Sequence, residues 1–190
     1  MYLFADIEMP TTVYAEILLP RKERIMKYLL LIVTLLICAC ASYTPQPDPM
    51  NTSLIVPFQS ATSVNILNAQ HQSELRIERF GGIPVNLQAT TDATIKLLTE
   101  QLSLNGVVID PAASKQLRLT VQELYQFPAP PPFTEICIVQ AGLTTNNGIK
   151  QSYSVKNVSG IDIFHACNVA LTKLVAEIMN DSDIRGFLGE

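Results

Sequence analysis

Residues 134–158, TEICIVQAGLTTNNGIKQSYSVKNV, decide the fold of this chain. Apolar residues recur at alternate positions around the turn sequence Asn-Asn-Gly at 146–148, and this pattern predicts a β-hairpin. A three-residue loop sets Val139 opposite Val155, whereas a two-residue loop would set Val139 opposite Lys156, so the longer loop is predicted. The core face of the hairpin then carries Cys137, Val139, Ala141, Leu143, Tyr153 and Val155.

The segments on either side of the hairpin also have clear patterns. In residues 115–125 apolar side chains alternate with polar ones, which predicts a strand with one solvated face, and the proline-rich run 127–133 is expected to break that strand. Residues 161–180 predict a helix with one apolar stripe, followed by a short capping turn at 183–188. The stripe consists of Phe164, Cys167, Leu171, Leu174 and Ile178.

A second helix is predicted earlier in the chain, at residues 91–105. Thr90 or Thr91 is expected to cap its start, and Asn105-Gly106 supplies a left-handed end, with a hydrophobic contact from the next residue. Short strands are predicted at 54–58, 64–67, 75–80, 84–87 and 107–109, with a turn at Gly81-Gly82. These elements predict an α+β fold, a two-layer antiparallel sheet with two main helices packed on one face.

A targeting segment precedes the domain. Residues 28–41, YLLLIVTLLICACA, carry no charge and follow a basic flank that ends at Lys27. A bilayer-spanning helix needs about 20 apolar residues, whereas the apolar part of a signal peptide needs about 7 to 15. The run is therefore interpreted as a signal peptide.

The end of this segment, Ile-Cys-Ala-Cys at 37–40, resembles the lipobox of bacterial lipoproteins. In that motif an aliphatic residue, a small residue and Gly or Ala precede a Cys that is acylated and becomes the first mature residue. The resemblance implies that Cys40 carries the lipid, with Cys38 as the competing position. Ala41 stands where an Asp retains many such proteins at the inner membrane, which implies the outer membrane. A cleaved segment without acylation and an uncleaved anchor are the alternatives.

The targeting segment divides the chain into four parts. Residues 1–25 are expected to be an extension from a misassigned start codon, and residues 26–39 the lipoprotein signal peptide. Residues 40–53 contain the lipidated Cys and a tether with prolines at alternate positions, which favour an extended chain. Residues 54–190 are predicted to form a single α+β periplasmic domain.

The mature chain resembles the YajG-like uncharacterised lipoproteins of Gram-negative bacteria. The resemblance runs from the lipobox through LLTEQLSLNGVVIDP, LRLTVQELY, the hairpin and the C-terminal ALTKLVAEIMNDSDIRGFL. It covers about 100 mature residues by pattern, and its motifs are structural. Members of that family are described by location and not by activity, so the resemblance implies a fold and a cellular location.

Composition and spacing give little support for chemistry. The net charge of −4 provides no basic footprint for nucleic acid, and the chain has only two histidines. His71 lies in a polar stretch, and His165 is two residues from Cys167, so their side chains diverge on a helix. We therefore expect no catalytic residue, no metal site and no cofactor, and a protein that is not an enzyme.

Cys137 and Cys167 are both expected to point into the layer between sheet and helix. In an oxidising periplasm they form a disulfide or remain two separate buried thiols, and the sequence leaves both open. A bridge would close a loop of about 30 residues and stabilise the domain by roughly 3 to 4 kcal/mol.

These observations predict a non-enzymatic binding or structural accessory of the envelope. Acyl chains on Cys40 are expected to hold it at the periplasmic face of the outer membrane, with another envelope protein or component as its partner. The alternative is a carrier of a lipid or small molecule, which requires an apolar cavity between sheet and helices.

Overall fold

The computed structural model describes residues 43–71, 74–77, 83–130 and 134–189. Residues from Ser42 onward form one compact unit. The predicted extension 1–25, the signal peptide 26–39, Cys40 and the Gly81-Gly82 turn lie outside the described residues.

The described part of the chain contains seven strands, two long helices and one short helix. The strands are β1 (Ser63–Asn68), β2 (Glu74–Ile77), β3 (Ile83–Asn86), β4 (Val108–Ile109), β5 (Lys115–Ala129), β6 (Thr134–Thr145) and β7 (Lys150–Ser159). The helices are α1 (Leu87–Leu104), α2 (Ile163–Asn180) and α3 (Ser182–Leu188).

The main sheet has the strand order β4-β1-β5-β6-β7, and β2 pairs with β3 in a separate antiparallel ribbon. The strands β5, β6 and β7 are antiparallel, but β1 pairs parallel with both β4 and β5. The prediction of a purely antiparallel sheet is therefore wrong, and the sheet is mixed. The cause is α1, because a helix that crosses between two strands of one sheet returns the chain for parallel pairing.

The β6–β7 hairpin has the predicted register. Val139 faces Val155 and Ala141 faces Tyr153, and Gly148 has a φ of 99°, as a left-handed turn residue requires. Five of the six predicted core-face residues are buried, and Tyr153 is half-buried. The alternation of the sequence therefore fixes both the pairing and the face that enters the core.

Strand β5 is longer than predicted, since it continues through Phe127 and Pro128 to Ala129. Pro128 pairs with Glu135 of β6. The expected break at 127 is wrong because, among the described residues, β1 pairs with β5 only as far as Leu119. Beyond that point no described strand pairs with the other edge of β5, and a proline without a backbone N–H is tolerated at such an edge.

Both long helices contact the main sheet and each other: α1 lies against β1 and β5, and α2 against β6 and β7. The layer between them is closed by side chains from both, among them Leu98, Leu117, Leu119, Val139, Leu143, Leu171 and Leu174, none of which is exposed. The α+β class and the helix-on-sheet layering agree with the prediction, and α3 is a third, shorter helix.

The C-terminal end of α1 agrees with the prediction from the sequence, but its N-terminal cap does not. Asn105-Gly106 ends the helix with Gly106 at a φ of 85°, as predicted, and Val107 is buried in the same core cluster as Leu102. The Val107 amide also donates to the Leu102 carbonyl at 3.1 Å. The predicted cap at Thr90 or Thr91 is wrong, because Asn86 caps the helix by accepting from the Ala89 amide. The Thr91 hydroxyl instead accepts from the Val121 amide at 3.2 Å, beside the bulge in β5.

Residues 54–58 form no strand, contrary to the prediction. A 3-10 turn covers Thr52–Leu54, and the chain then lies across the end of α2. There the Asn180 side chain accepts from the Val56 amide at 2.8 Å and donates to the Leu54 carbonyl at 2.8 Å. A side chain satisfies these backbone groups where a neighbouring strand would otherwise be needed. Within the described residues, no helix combines the length and hydrophobicity needed to cross a bilayer.

Candidate functional site

The predicted lipidation residue, Cys40, lies outside the described residues, and the first described residue is Tyr43. Tyr43 is fixed on two sides. Its carbonyl accepts from the Asn86 amide at 3.0 Å, beside a parallel bridge to Val85, and its ring meets the Phe164 ring edge-on with centroids 4.6 Å apart. The chain therefore joins the folded domain three residues after Cys40.

The Tyr43 hydroxyl adds polar contacts to this docking. It lies 3.3 Å from the Asn168 side-chain oxygen and 3.4 Å from the Phe164 carbonyl, to which it can donate. The same Asn168 oxygen accepts from the Gln46 amide at 3.0 Å. The side chain of Asn168 on α2 thus binds both Tyr43 and Gln46.

The following residues continue along α2. The Thr172 hydroxyl donates to the Asp48 carbonyl at 2.8 Å, and His165 Nδ1 lies 3.4 Å from an Asp48 carboxylate oxygen. Met50 packs against the core. Residues 43–50 were expected to form a free tether, but they lie on the surface of α2. Prolines remove backbone donors from this segment, and side chains of the helix supply hydrogen-bond partners for the backbone groups that remain.

Burial and charge act together on Tyr43. Loss of solvation, followed by the nearby carboxylates of Asp162 and Asp48, raises the pKa of the Tyr43 hydroxyl far above its ordinary value. The hydroxyl therefore stays protonated, and remains a donor to α2, even at a pH at which an exposed tyrosine would ionise.

The end of the domain that receives Tyr43 also carries exposed apolar side chains. We call this the hairpin end: the tip of the β5–β6 hairpin at 128–130, the β7–α2 turn at 160–162, and the first turn of α2. Val158, Ile161 and Phe164 are exposed there. Phe164 was predicted to face the core, but the helical stripe turns outward at its first residue and packs against Tyr43 instead.

Cys137 on β6 and Cys167 on α2 meet in the layer between sheet and helix. Their Cα atoms are 5.1 Å apart, the two sulfur atoms are bonded, and both side chains are fully buried. The buried Gln126 side chain donates to the Cys167 sulfur at 3.0 Å. The hairpin register and the helical stripe are what bring these cysteines together.

A second polar cluster joins β7 to the start of α3. The Tyr153 hydroxyl donates to an Asp181 carboxylate oxygen at 2.9 Å, and the other oxygen accepts from the Asp183 and Ile184 amides. Burial, then the hydrogen bond to Asp181, raises the pKa of Tyr153, and burial raises the pKa of Glu177. Asp181 is thus the N-terminal cap of α3, which is a structural role for its carboxylate.

The histidines are separated from one another and from the cysteine pair. His71 is exposed, and His165 is paired with Asp48. Among the described residues no group of three or more His, Cys, Asp or Glu side chains is placed to hold a metal ion. The predicted absence of a catalytic or metal site stays a prediction.

One surface cavity of about 270 Å³ lies beside α3, lined by Asn180, Ser182, Arg185 and Gly186. It lies at the junction of α2 and α3, outside the layer between sheet and helices. It therefore differs in place from the cavity that a lipid carrier requires.

Comparison with known proteins gives a likeness of fold. No protein-family model matches the chain, and no curated protein matches its sequence. A crystal structure of a Xanthomonas campestris protein, assigned to the DUF330 family, is similar with a TM-score of 0.50 at 12% identity. The match covers 74% of this chain and 90% of that one, and at this identity it concerns the fold alone.

Two further solved structures are less similar. A minor lipoprotein from Acinetobacter baumannii has a TM-score of 0.40 at 12% identity, covering 65% of this chain and 90% of that one. A putative neuraminyllactose-binding hemagglutinin homolog from Helicobacter pylori has a TM-score of 0.32 at 13% identity, covering 78% and 95%. At these scores neither likeness supports an inference about this chain.

Proposed function

We propose that the chain is a lipoprotein of the bacterial envelope, acylated at Cys40 and held at the periplasmic face of the outer membrane. The observation that carries the proposal is the N-terminal arrangement of a basic flank, a short uncharged apolar segment and the Ile-Cys-Ala-Cys ending. A single acyl chain holds a protein only marginally, whereas several chains on one Cys hold it firmly.

The role of the folded domain is that of a non-enzymatic binding or structural accessory. Three features support this: the side chains between sheet and helices are buried, the Asp181 carboxylate caps α3, and Cys167 is buried. The partner is another envelope component. The resemblance to YajG-like lipoproteins remains a prediction from the sequence motifs.

Fractionation of cells that express single cysteine variants tests the anchor. Cys40→Ser should move the protein from the membrane pellet to the soluble periplasmic fraction or leave it as an uncleaved precursor, because no acyl chain can be attached to Ser. Cys38→Ser is the matched control: it changes the neighbouring cysteine by the same atom and should leave the protein mature and in the membrane pellet.

The opposite pattern, with loss of membrane attachment for Cys38→Ser and retention for Cys40→Ser, would move the lipid to Cys38. Retention of both variants in the membrane would contradict acylation as the anchor. Separation of inner from outer membrane on a density gradient tests the sorting assigned to Ala41. Recovery of a protein crosslinked to the wild type, and absent with Cys40→Ser, would support an envelope partner.

A further inference from the structure

The distance between the proposed lipid and the folded domain is short. A fully extended chain spans at most about 3.3 to 3.6 Å per residue, so Cys40 lies no more than about 11 Å from Tyr43. Tyr43 is itself held by Asn86, Phe164 and Asn168. An anchor on Cys40 therefore cannot hold the hairpin end far from the lipid.

The surface beside this attachment point is apolar. Ile161 is 73% exposed, Val158 51% and Phe164 44%, and all three lie within seven residues of chain at the β7–α2 turn. Pro128 and Pro130 are exposed at the tip of the neighbouring hairpin. Large apolar side chains next to a lipid attachment point gain free energy by leaving water for the interfacial region of a bilayer.

The charges near this surface indicate which kind of lipid surface it fits. Asp48 and Asp162 act electrostatically on Tyr43, and Lys156 is the exposed cation nearest in the chain to Val158. This is not the basic patch that anionic membranes attract. The surface therefore fits a bilayer of mainly zwitterionic lipid, entered through apolar contact.

We propose that the hairpin end is seated on the membrane, with the side chains of Ile161 and Val158 in the lipid interface. This rests on the proposed acylation of Cys40 and adds an orientation to it: α1 and α2 begin near the bilayer and end away from it. Partners in the periplasm then meet the opposite end, with the 146–148 turn, Leu104 and α3.

The opposite end supplies a matched control. Leu104 is 74% exposed, almost equal to Ile161, but it ends the 18-residue helix that begins beside Asn86. At 1.5 Å per residue it lies about 26 Å along α1 from the first residue of that helix. The two positions thus differ in place but hardly in exposure or residue type.

The test uses the absence of tryptophan from this chain. Ile161→Trp and Leu104→Trp are each introduced as the sole tryptophan in the full-length precursor, and the mature proteins are extracted from membranes. Each is added to preformed phosphatidylethanolamine vesicles that contain phosphatidylcholine brominated near the headgroup end of its acyl chains. We expect Ile161→Trp to show a blue-shifted, quenched emission, and Leu104→Trp to keep the spectrum of a tryptophan in water.

Vesicle flotation, measured on the same samples, separates the anchor from the orientation. If both variants float and neither is quenched, or both are quenched equally, the proposed orientation is wrong but acylation of Cys40 is still supported. If neither variant floats, acylation at Cys40 is contradicted, and so is the orientation that depends on it. Val158→Trp is a second reporter at an exposed position, and it should also be quenched.

Discussion

Replacing Cys137 and Cys167 with Ala, singly and together, tests whether the sheet and α2 are joined covalently. The Cα separation of 5.1 Å lies within the range of about 4.4 to 6.8 Å that a disulfide spans. The two residues are 30 apart in sequence, and a closed loop of that length stabilises the folded state by about 3.6 kcal/mol through the entropy of the unfolded chain.

A double-mutant cycle measures the stabilisation that the disulfide provides. Either single replacement removes the whole bridge, so the second replacement removes only local packing, and the coupling free energy should be about 3 to 4 kcal/mol. Cys167→Ala should cost about 1 kcal/mol more than Cys137→Ala, because it also leaves the buried Gln126 side chain without its sulfur partner.

Urea unfolding of the wild type and the three variants, with and without reductant, measures these free energies of unfolding. Reductant should lower the free energy of unfolding of the wild type by about 3.6 kcal/mol and leave all three variants unchanged. Additive single effects, a wild type that does not respond to reductant, or two thiols labelled in unfolded, unreduced mature protein would refute the covalent link.

Three further predictions concern other parts of the chain. Gly106→Ala should lower the free energy of unfolding by more than Gly148→Ala: positive φ costs about 1–2 kcal/mol at each position, but only at Gly106 would a new Cβ lie 2.9 Å from a backbone oxygen, that of Ser60. Equal costs in urea unfolding would contradict this. Because the pKa values of Tyr43 and Tyr153 are raised in the folded state, their stabilisation is present below the unfolded pKa of about 10 and is lost as pH rises above it. Tyr43→Phe and Tyr153→Phe should each reduce the fall of the urea unfolding midpoint at alkaline pH. If the midpoint falls as steeply with pH in the variants as in the wild type, the two hydroxyls do not have raised pKa values. A gene begun at Met26 should give a protein that is exported and accumulates like the full chain, and failure of export on immunoblots of cell fractions would show that residues 1–25 are needed.

Short-range patterns predicted the part of the fold that depends on neighbouring residues. The register of the β6–β7 hairpin follows from alternation and from Gly148, since a shift of one residue would turn the core face to solvent. The end of α1 follows from Asn105-Gly106 in the same way. The fully buried faces of β6 and α2 also placed Cys137 and Cys167 in the same layer.

Features that depend on distant segments were not predicted. The parallel pairing of β1 with β5 needs the crossover through α1, and four short strands carry no signal that identifies their partners. The docking of Tyr43 on Asn168 joins residues 125 positions apart. Phe164 continues the apolar stripe in sequence, so nothing local indicates that its partner is Tyr43 and not the core.

The most direct test of acylation is the mass of the N-terminal peptide from protein extracted from bacterial membranes with detergent. We expect a peptide that begins at Cys40 and carries a diacylglyceryl group on sulfur and a third acyl chain on its amino group. A mature N-terminus at any other residue, or an unmodified Cys40, would contradict it.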